Sequence, residues 1–494
     1  MKKSSNAKIT MAKDTLLYLP ARIIEGVVGF ITVLLFTKYF TEEAYGDYTF
    51  IQSTANFIYV VIASWLFHSC FRFVSACETE EEKTEFYSTV LRVWLFLIAG
   101  ATAVALVILL CSFTVSSTAI LYILPILAIL ISYSTVTMLY GISAALRAIK
   151  LNAFTTIAAI TAKLLVTTAV VYIFPPSKES HLTALAVIFL VDTIASIVMF
   201  MNLKLYKYMD LHVFSKDLLR KLIRFGLPFI GLGITVPLLN VSDRFVIRAI
   251  DGARDLAIYT ANYSIASAVF TILPIAIMRG VYPTILKEWK KDKEHACYLL
   301  SQSIRYFLLI AIPAAVGLSV LAPDIAANLG KPSYMQGSII IGLVAFGMLF
   351  QGTADFVNKS FELTTKTRAI FTNSLIASVF NIVANIIAVP IWGYISAAVT
   401  TLISLILLFI LSFVRGKRVL DWKFPVTSCI KISIASAAMG ISVYFLSKLF
   451  SSSFISLGIL TIFGGIVYVV VLYLTGDIKE ETSFVIKKLK ERKA

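Results

Sequence analysis

Six of the charged side chains that fall inside long apolar stretches of the sequence are candidates for function, because ionisable groups are costly there and commonly functional. They are three cations and three carboxylates: Arg22, Lys163, Arg279, Glu25, Asp192 and Asp355. A guanidinium presents a planar fork of donors that suits phosphate oxygens. An embedded carboxylate can bind a proton or a sodium ion. These residue types therefore allow anion binding and ion coupling within one molecule.

Each of these charges also has a simpler structural interpretation. Arg22 and Arg279 can snorkel to the lipid headgroups, and Arg22 can pair with Glu25 one turn away. Lys163 and Asp192 fall near the middle of two adjacent apolar stretches. We favour a buried ion pair for them, because a single charge at that depth would be very costly.

Polar side chains in the same stretches leave further alternatives open. Asn381 and Asn385 lie one turn apart on one helical face, where hydrogen bonding between helices is the default and cavity lining the alternative. Gln52 is a third candidate for lining a cavity. Asp355 lies four residues before Lys359, and we favour a pair between them at a helix end.

One short segment, 243–255, alternates acidic and basic residues. Alternating signs are typical of a solvated helix end. The same segment could also form a gate on the outer side.

The elements that hold these residues are predicted from composition. Of 494 residues, 59% are hydrophobic and only 15% are charged, whereas soluble domains have about 45–50% and 25%. A bilayer core needs roughly 20 apolar residues per helix. The continuous apolar stretches predict an all-α membrane protein with about fourteen transmembrane helices, near 15–38, 47–71, 90–113, 118–141, 152–174, 183–204, 223–247, 257–282, 298–321, 336–358, 369–391, 394–414, 426–449 and 454–475.

The distribution of basic residues orients these helices. Of the 44 Lys and Arg residues, 34 fall in one alternating set of loops and tails and 7 in the other. Because the basic excess marks the cytoplasmic side, we expect both termini in the cytoplasm. The net charge of +16 is spread over these loops, so nucleic acid is not expected as a partner. Five scattered cysteines and the absence of a phosphate-binding loop indicate no metal, no cofactor and no ATPase.

A weak internal repeat divides the chain. Leu19-Pro20 and Leu227-Pro228 open the first and seventh stretches, and two repeated halves around a site between them are common in transporters. We expect six-helix bundles in 1–206 and 207–424, a final helix pair in 425–476 and a basic cytoplasmic tail in 477–494.

Three segments carry a resemblance to a known family. EEAYGDYTF follows the first stretch, FGLPF opens the seventh, and SLIASVFNIVANIIAVPIWGYISAAVTTLIS covers 374–404. Together they resemble the Wzx-type polysaccharide exporters, over nearly the whole chain. The 374–404 segment is the most specific part, with paired Asn, then Pro-x-x-Gly, then small residues. Ser396 stands where the family usually has Gly.

The resemblance implies a fold like that of the multidrug (MATE) exporters and the lipid II flippase MurJ, with a central cavity. It implies export of an undecaprenyl-diphosphate-linked oligosaccharide from the cytoplasmic to the outer leaflet of the bacterial cytoplasmic membrane. Cavity arginines of MurJ-like relatives then suggest Arg22 and Arg279 as two arms on a diphosphate, with Lys163 as a further contact. Glu25, Asp192 and Asp355 become candidates for Na⁺ or H⁺ coupling. A polysaccharide polymerase and membrane lipids are expected partners.

Two other functions remain as alternatives. A cation-coupled multidrug exporter would share the fold, but acidic rather than basic cavity residues would suit its cationic substrates. A membrane polymerase or glycosyltransferase usually needs a large outer loop with catalytic groups, and every predicted outer loop is short.

Overall fold

The structure of the chain, a computed structural model, describes residues 24, 26–113, 119–174, 177 and 179–478. Those residues form helices joined by short connections, and no strand occurs among them. The helices up to residue 250 are α1 (Gly26–Tyr39), α2 (Glu42–Ile62), α3 (Ser64–Phe73), α4 (Glu80–Phe113), α5 (Ile120–Ala145), α6 (Ile149–Ile173), α7 (Ser180–Asn202) and α8 (Lys216–Ile250).

Eight more helices follow in the second half. They are α9 (Ala253–Trp289), α10 (Lys293–Val320), α11 (Ala322–Ala327), α12 (Ile339–Leu363), α13 (Arg368–Trp392), α14 (Tyr394–Val419), α15 (Val426–Ser447) and α16 (Phe454–Leu474).

The number of membrane-spanning helices agrees with the predicted multi-pass protein. Within the described residues, 11 helices are long and apolar enough to cross a bilayer, and 13 spans result when two bent pairs are each counted once. The first bent pair is α2 with α3, at an angle of 54°, and the second is α8, bent by 52° near residue 236. The short apolar helix α1 lies within the first of the fourteen predicted spans.

Contacts group the chain into two compact units, Met1–Arg248 and Ala249–Ala494. The boundary between them falls at the end of α8, whereas the sequence repeat places the two halves on either side of residue 206. The division into six, six and two helices remains a prediction.

The first unit is built around α5, which packs on α2, α3 and α7, while α6 packs on α7. One of its buried clusters includes Leu66, Val90, Ile142 and Leu222. Helix α4 lies at the rim of the unit and leaves large apolar side chains uncovered, including Phe96 at 78% exposure. Such exposure suits lipid rather than water as the surrounding solvent.

The second unit is built around α12, which packs on α9, α10 and α14, while α15 joins α10 to α16. Close helix approach depends on small residues. A Cβ atom at Gly352 of α12 would stand 2.4 Å from the Phe307 ring of α10, so a larger residue there would push these helices apart.

The 374–404 segment forms a tight hairpin of two helices. Gly393 ends α13 and begins α14 with φ of 69°, a left-handed conformation that glycine adopts without a steric penalty. Ser396, Ala397 and Ala398 follow and are all buried. The most family-like part of the sequence therefore specifies a helical hairpin.

Candidate functional site

A polar stripe runs along α12 on the face that its own unit leaves open. From Gln351 to Leu363, only four side chains are not buried, and all four are polar: Gln351, Asp355, Lys359 and Glu362. Their spacing of four, four and three residues places them on a single face. The remaining side chains in this part of α12 are buried against the neighbouring helices.

Helix α9 lies beside this stripe and completes a polar surface. The Tyr282 hydroxyl donates a hydrogen bond to Glu362 Oε2 at 2.7 Å, and Lys359 Nζ donates to Glu362 Oε1 at 2.6 Å. The lysine nitrogen also lies 4.8 Å from the centre of the Tyr282 ring. Glu362 is therefore satisfied by two donors and holds Lys359 in place.

Arg279 lies one turn before Tyr282 on α9, and its side chain is exposed. It forms no ion pair or hydrogen bond with the part of the chain that the structure describes. The exposed face of α9 around it mixes small and polar residues with two branched apolar ones: Ala276, Gly280, Pro283, Thr284, Lys287, Ile275 and Leu286. A charged side chain within a membrane span is costly against hydrocarbon, so Arg279 itself favours contact with water or a ligand.

The pair that we favoured for Asp355 is wrong. Lys359 forms its ion pair with Glu362, at 2.6 Å, because that carboxylate lies on the side of α12 facing α9. Asp355 is exposed on the open face and pairs with no described residue. Its role in ion coupling remains a prediction.

The first unit holds the buried ion pair expected between its central charges. Lys163 Nζ of α6 lies 2.6 Å from Asp192 Oδ1 of α7, with the aspartate side chain 4% and the lysine side chain 30% exposed. The favoured structural interpretation is thus confirmed. A substrate contact by Lys163 and ion coupling by Asp192 remain predictions, and the aspartate is the less accessible of the two.

Gln52 lies on α2 and is half-buried. Its side-chain amide donates a hydrogen bond to the Tyr48 hydroxyl at 3.1 Å. Tyr48 interacts electrostatically with Asp192 of α7. Lining of a cavity by Gln52 remains a prediction.

Asn381 and Asn385 form a ladder between α13 and α14. Asn381 donates to Thr401 Oγ1 at 3.2 Å and accepts from the Asn385 amide at 3.1 Å, while the Thr400 hydroxyl donates to Asn385. Both asparagines are completely buried. This geometry matches the default interpretation of hydrogen bonding between helices and leaves neither amide a surface from which to line a cavity.

Sequence reasoning missed a charged cluster in the first unit. Arg248 at the end of α8 contacts Asp47 of α2 at 2.9 Å, and the Tyr122 hydroxyl donates to the same aspartate at 3.0 Å. Arg244, one turn earlier, donates to Ser53 at 2.8 Å.

These contacts correct the interpretation of 243–255 as only a solvated helix end, because Asp47 is 9% exposed and fixes Arg248 against α2. A signal was available in the sequence. Asp47 and Arg248 are opposite charges that the predicted spans place at the same membrane level.

Two predicted site residues, Arg22 and Glu25, lie outside the described residues. Their proposed contact with a diphosphate and their alternative pairing with each other both remain predictions.

Comparison with known proteins places these features in a family. A family model described as polysaccharide biosynthesis protein matches residues 11–289. Among curated proteins, the chain is similar to the probable flippase AglR of Haloferax volcanii. The two are 26% identical over 192 residues, which are 38% of this chain and 40% of that protein. The match thus spans about two fifths of the relative.

Solved structures match over most of the chain. A lipid II flippase MurJ in an inward closed conformation aligns with a TM-score of 0.67 and 19% identity, covering 92% of this chain and 98% of that one. An inward-facing multidrug resistance MATE family transporter aligns with a TM-score of 0.55 and 14% identity, covering 80% and 94%. At these identities the likeness concerns the fold, and it confirms the predicted all-helical membrane fold of the MATE and MurJ type.

Proposed function

Because this chain belongs to the polysaccharide biosynthesis protein family, we propose that it is a flippase for an undecaprenyl-diphosphate-linked oligosaccharide. The substrate would move from the cytoplasmic to the outer leaflet by alternating access. Its similarity to a probable flippase, AglR, and to the lipid II flippase MurJ supports a flippase. The observation that carries the proposal is the exposed Arg279 on the polar surface of α9 and α12.

The polar surface suits a substrate with a charged head and an apolar tail. Four polar side chains in a row on α12 would be costly against hydrocarbon, so we expect water on this face. A hydrated surface within the membrane gives a sugar diphosphate a route that the lipid does not offer.

Arg279 is the side chain best suited to hold the diphosphate. No described acid neutralises it, so its guanidinium can give two parallel hydrogen bonds to phosphate oxygens. Lys359 supplies a second cation on the same surface, although Glu362 partly neutralises it. Arg22 remains the predicted second arm of the clamp.

Ion coupling fits Asp355 better than Asp192. The Asp355 carboxylate is exposed on the polar surface, whereas Asp192 is buried against Lys163. We propose H⁺ or Na⁺ as the coupled ion, with Glu25 as a further candidate. The chain would lie in the bacterial cytoplasmic membrane with both ends in the cytoplasm, beside a polysaccharide polymerase.

One observation favours a second candidate, a cation-coupled multidrug exporter. Asp355 offers an unpaired carboxylate on the same surface, and the fold is also that of MATE transporters. A cationic drug would be attracted to Asp355 and repelled by Arg279. A lipid flippase should therefore need the positive charge of Arg279, whereas an exporter of cationic drugs should be hindered by it.

A liposome assay tests the proposal. The purified protein is reconstituted with a fluorescent undecaprenyl-diphosphate-linked oligosaccharide, and a membrane-impermeant quencher reports how fast the inner pool becomes accessible. Arg279→Gln should slow the exchange by about tenfold or more, since a charged hydrogen bond is worth about 1.5–3 kcal/mol. Lys290→Gln, an exposed lysine beyond the end of α9, should exchange like the wild type.

The same liposomes separate the two candidates. If a lipophilic cationic dye is transported while the lipid-linked sugar is not, the drug exporter is correct. If Arg279→Gln flips the lipid as fast as the wild type, the role of the polar surface in diphosphate binding is refuted.

A further inference from the structure

A pocket of about 510 Å³ lies in the first unit. Its walls come from α3, from α4, and from the start of α8 with the residue two positions before it: Trp65, then Arg92, Val93, Phe96 and Leu97, then Phe214, Leu219 and Ile223. Among these described residues, Arg92 alone is charged. The volume falls within the roughly 300–1,000 Å³ of typical ligand pockets.

Arg92 has no acidic partner among the described residues. No ion pair or hydrogen bond joins its guanidinium to the described residues, and its recorded contact is with the Phe214 ring, at 5.7 Å. The side chain is half-buried. A half-buried cation without an acid lacks part of the solvation that it would have in water, so the pocket is complementary to an anionic group.

The position of Arg92 along α4 fixes the membrane level of the pocket. Residues 93–113 contain no charged residue, and about 20 apolar residues are enough to cross the hydrocarbon core. Arg92 therefore stands at the boundary between hydrocarbon and headgroups. Val93, Phe96 and Leu97 continue the pocket wall from there into the hydrocarbon, and Phe96 is 78% exposed.

The segment 208–215, which carries Phe214 of the pocket wall, is held in place by the start of α4. Ser88 accepts a hydrogen bond from the Asp210 amide at 2.9 Å, and Thr89 accepts one from the Ser215 amide at 3.1 Å. Ser88 also donates to the Tyr208 carbonyl at 3.0 Å. Both side chains are fully buried, so Phe214 is positioned beside Arg92 before any ligand arrives.

Exposed basic residues near the pocket also favour an anionic ligand. Lys216, Lys221 and Arg224 are exposed at the start of α8, where Arg220 is paired with Asp217 at 3.7 Å. Basic residues beside a membrane attract anionic lipids, with about 1 kcal/mol for each Lys or Arg near the surface.

We propose that this pocket binds an anionic phospholipid of the surrounding leaflet, with its phosphate on Arg92 and one acyl chain along Val93, Phe96 and Leu97. Its residues are not those of the polar surface proposed for the exported lipid. It would join α3, α4 and α8 through a lipid and make the stability of the first unit depend on membrane composition.

Photocrosslinking tests the proposal on the full-length protein in nanodiscs. Phosphatidylglycerol with a diazirine in its acyl chain should label peptides containing residues 93–97 and 214–223. Phosphatidylcholine with the same chains should label them several-fold less. Arg92→Gln should lower the phosphatidylglycerol label about fivefold, the loss expected for one cation near the membrane surface.

Arg220→Gln is the control for general attraction, because this exposed side chain does not line the pocket and its charge is already offset by Asp217 at 3.7 Å. It should lower the label clearly less than Arg92→Gln does. Leu97→Trp retains Arg92 but fills the pocket, and it should lower the label even if Arg92→Gln folds poorly.

Three results would overturn the proposal. Equal labelling by phosphatidylglycerol and phosphatidylcholine would show that the charge of the lipid plays no role in binding. Equal losses of label in Arg92→Gln and Arg220→Gln would show only a general attraction of anionic lipids to basic residues. Displacement of phosphatidylglycerol by a small amount of undecaprenyl diphosphate would assign the pocket to the substrate tail instead.

Discussion

Two sets of polar residues in the second unit lie in apolar helices but have opposite surroundings. On α13 and α14, Asn381 and Asn385 are completely buried and bonded to two threonines. On α9 and α12, Arg279 and Asp355 are exposed, and neither pairs with a described residue. The asparagines are closed polar groups, whose hydrogen bonds are made within a helix interface. The charged residues are open polar groups, which remain accessible to a ligand.

The difference teaches which polar residues deserve a functional test. Hydrogen bonds that are fully made within the protein stabilise packing, and in membranes they contribute modestly. Charges that the protein leaves unpaired must be satisfied by water or by a ligand. In the first unit, Lys163 and Asp192 resemble the asparagines, because each neutralises the charge of the other within the protein.

The largest expected effect on stability comes from breaking that ion pair. Lys163→Met leaves Asp192 buried without its cation, which we expect to cost about 3 kcal/mol, near the lower end for such pairs because the lysine is 30% exposed. The thermal unfolding midpoint of the purified protein measures the loss.

Lys150→Met is the control, since this lysine is exposed on the same helix α6. The double variant Lys163→Met with Asp192→Asn should recover part of the stability, because no buried charge remains. If Lys163→Met is as stable as Lys150→Met, the pair does not hold α6 and α7 together.

A smaller effect is expected in the asparagine ladder. Asn381→Leu removes the donor to Thr401 and the acceptor for Asn385, and hydrogen bonds between membrane helices are worth about 0.6–1.7 kcal/mol. We expect a loss of about 1 kcal/mol and unchanged lipid exchange per folded molecule. Asn56→Leu, at an exposed position on α2, should lose less. If the Asn381→Leu variant folds but does not exchange lipid, the two asparagines act in transport and not only in helix packing.

Much of the fold was predictable because hydropathy and basic residues act at the scale of whole helices. The same is true of the Lys163–Asp192 pair, since two opposite charges deep in adjacent spans have few other partners. The bend between α2 and α3 was not predictable, because both helices are apolar and the hydropathy does not change at the bend. The bend in α8 had a signal in the sequence, because Pro237 stands at it and a proline inside a helix removes a backbone hydrogen bond.

The details of the site were harder to predict, because they depend on which face of a helix is covered. Asp355 has Lys359 four residues later and Glu362 seven residues later, and the sequence does not show that Tyr282 draws Glu362 and Lys359 together. Arg248 likewise finds Asp47 about two hundred residues away. Spacing along one helix could not reveal partners on another.

The smallest effect on stability is expected for Asp355→Asn, which makes it the sharpest test of the contrast between closed and open polar groups. No described residue forms a hydrogen bond or ion pair with this carboxylate, and its interaction with Lys359 is only electrostatic. The free energy of unfolding should therefore change by less than about 0.5 kcal/mol, as for ordinary surface positions. In liposomes with an imposed proton or sodium gradient, the variant should lose the acceleration that the gradient gives to the wild type. Flipping without a gradient should persist, because Arg279 is retained.

A stability loss above about 1 kcal/mol would place Asp355 among the structural polar groups, and an unchanged response to both gradients would exclude it from ion coupling. Since only an open carboxylate can exchange ions without breaking a contact within the protein, the two measurements together decide whether exposure on α12 marks function.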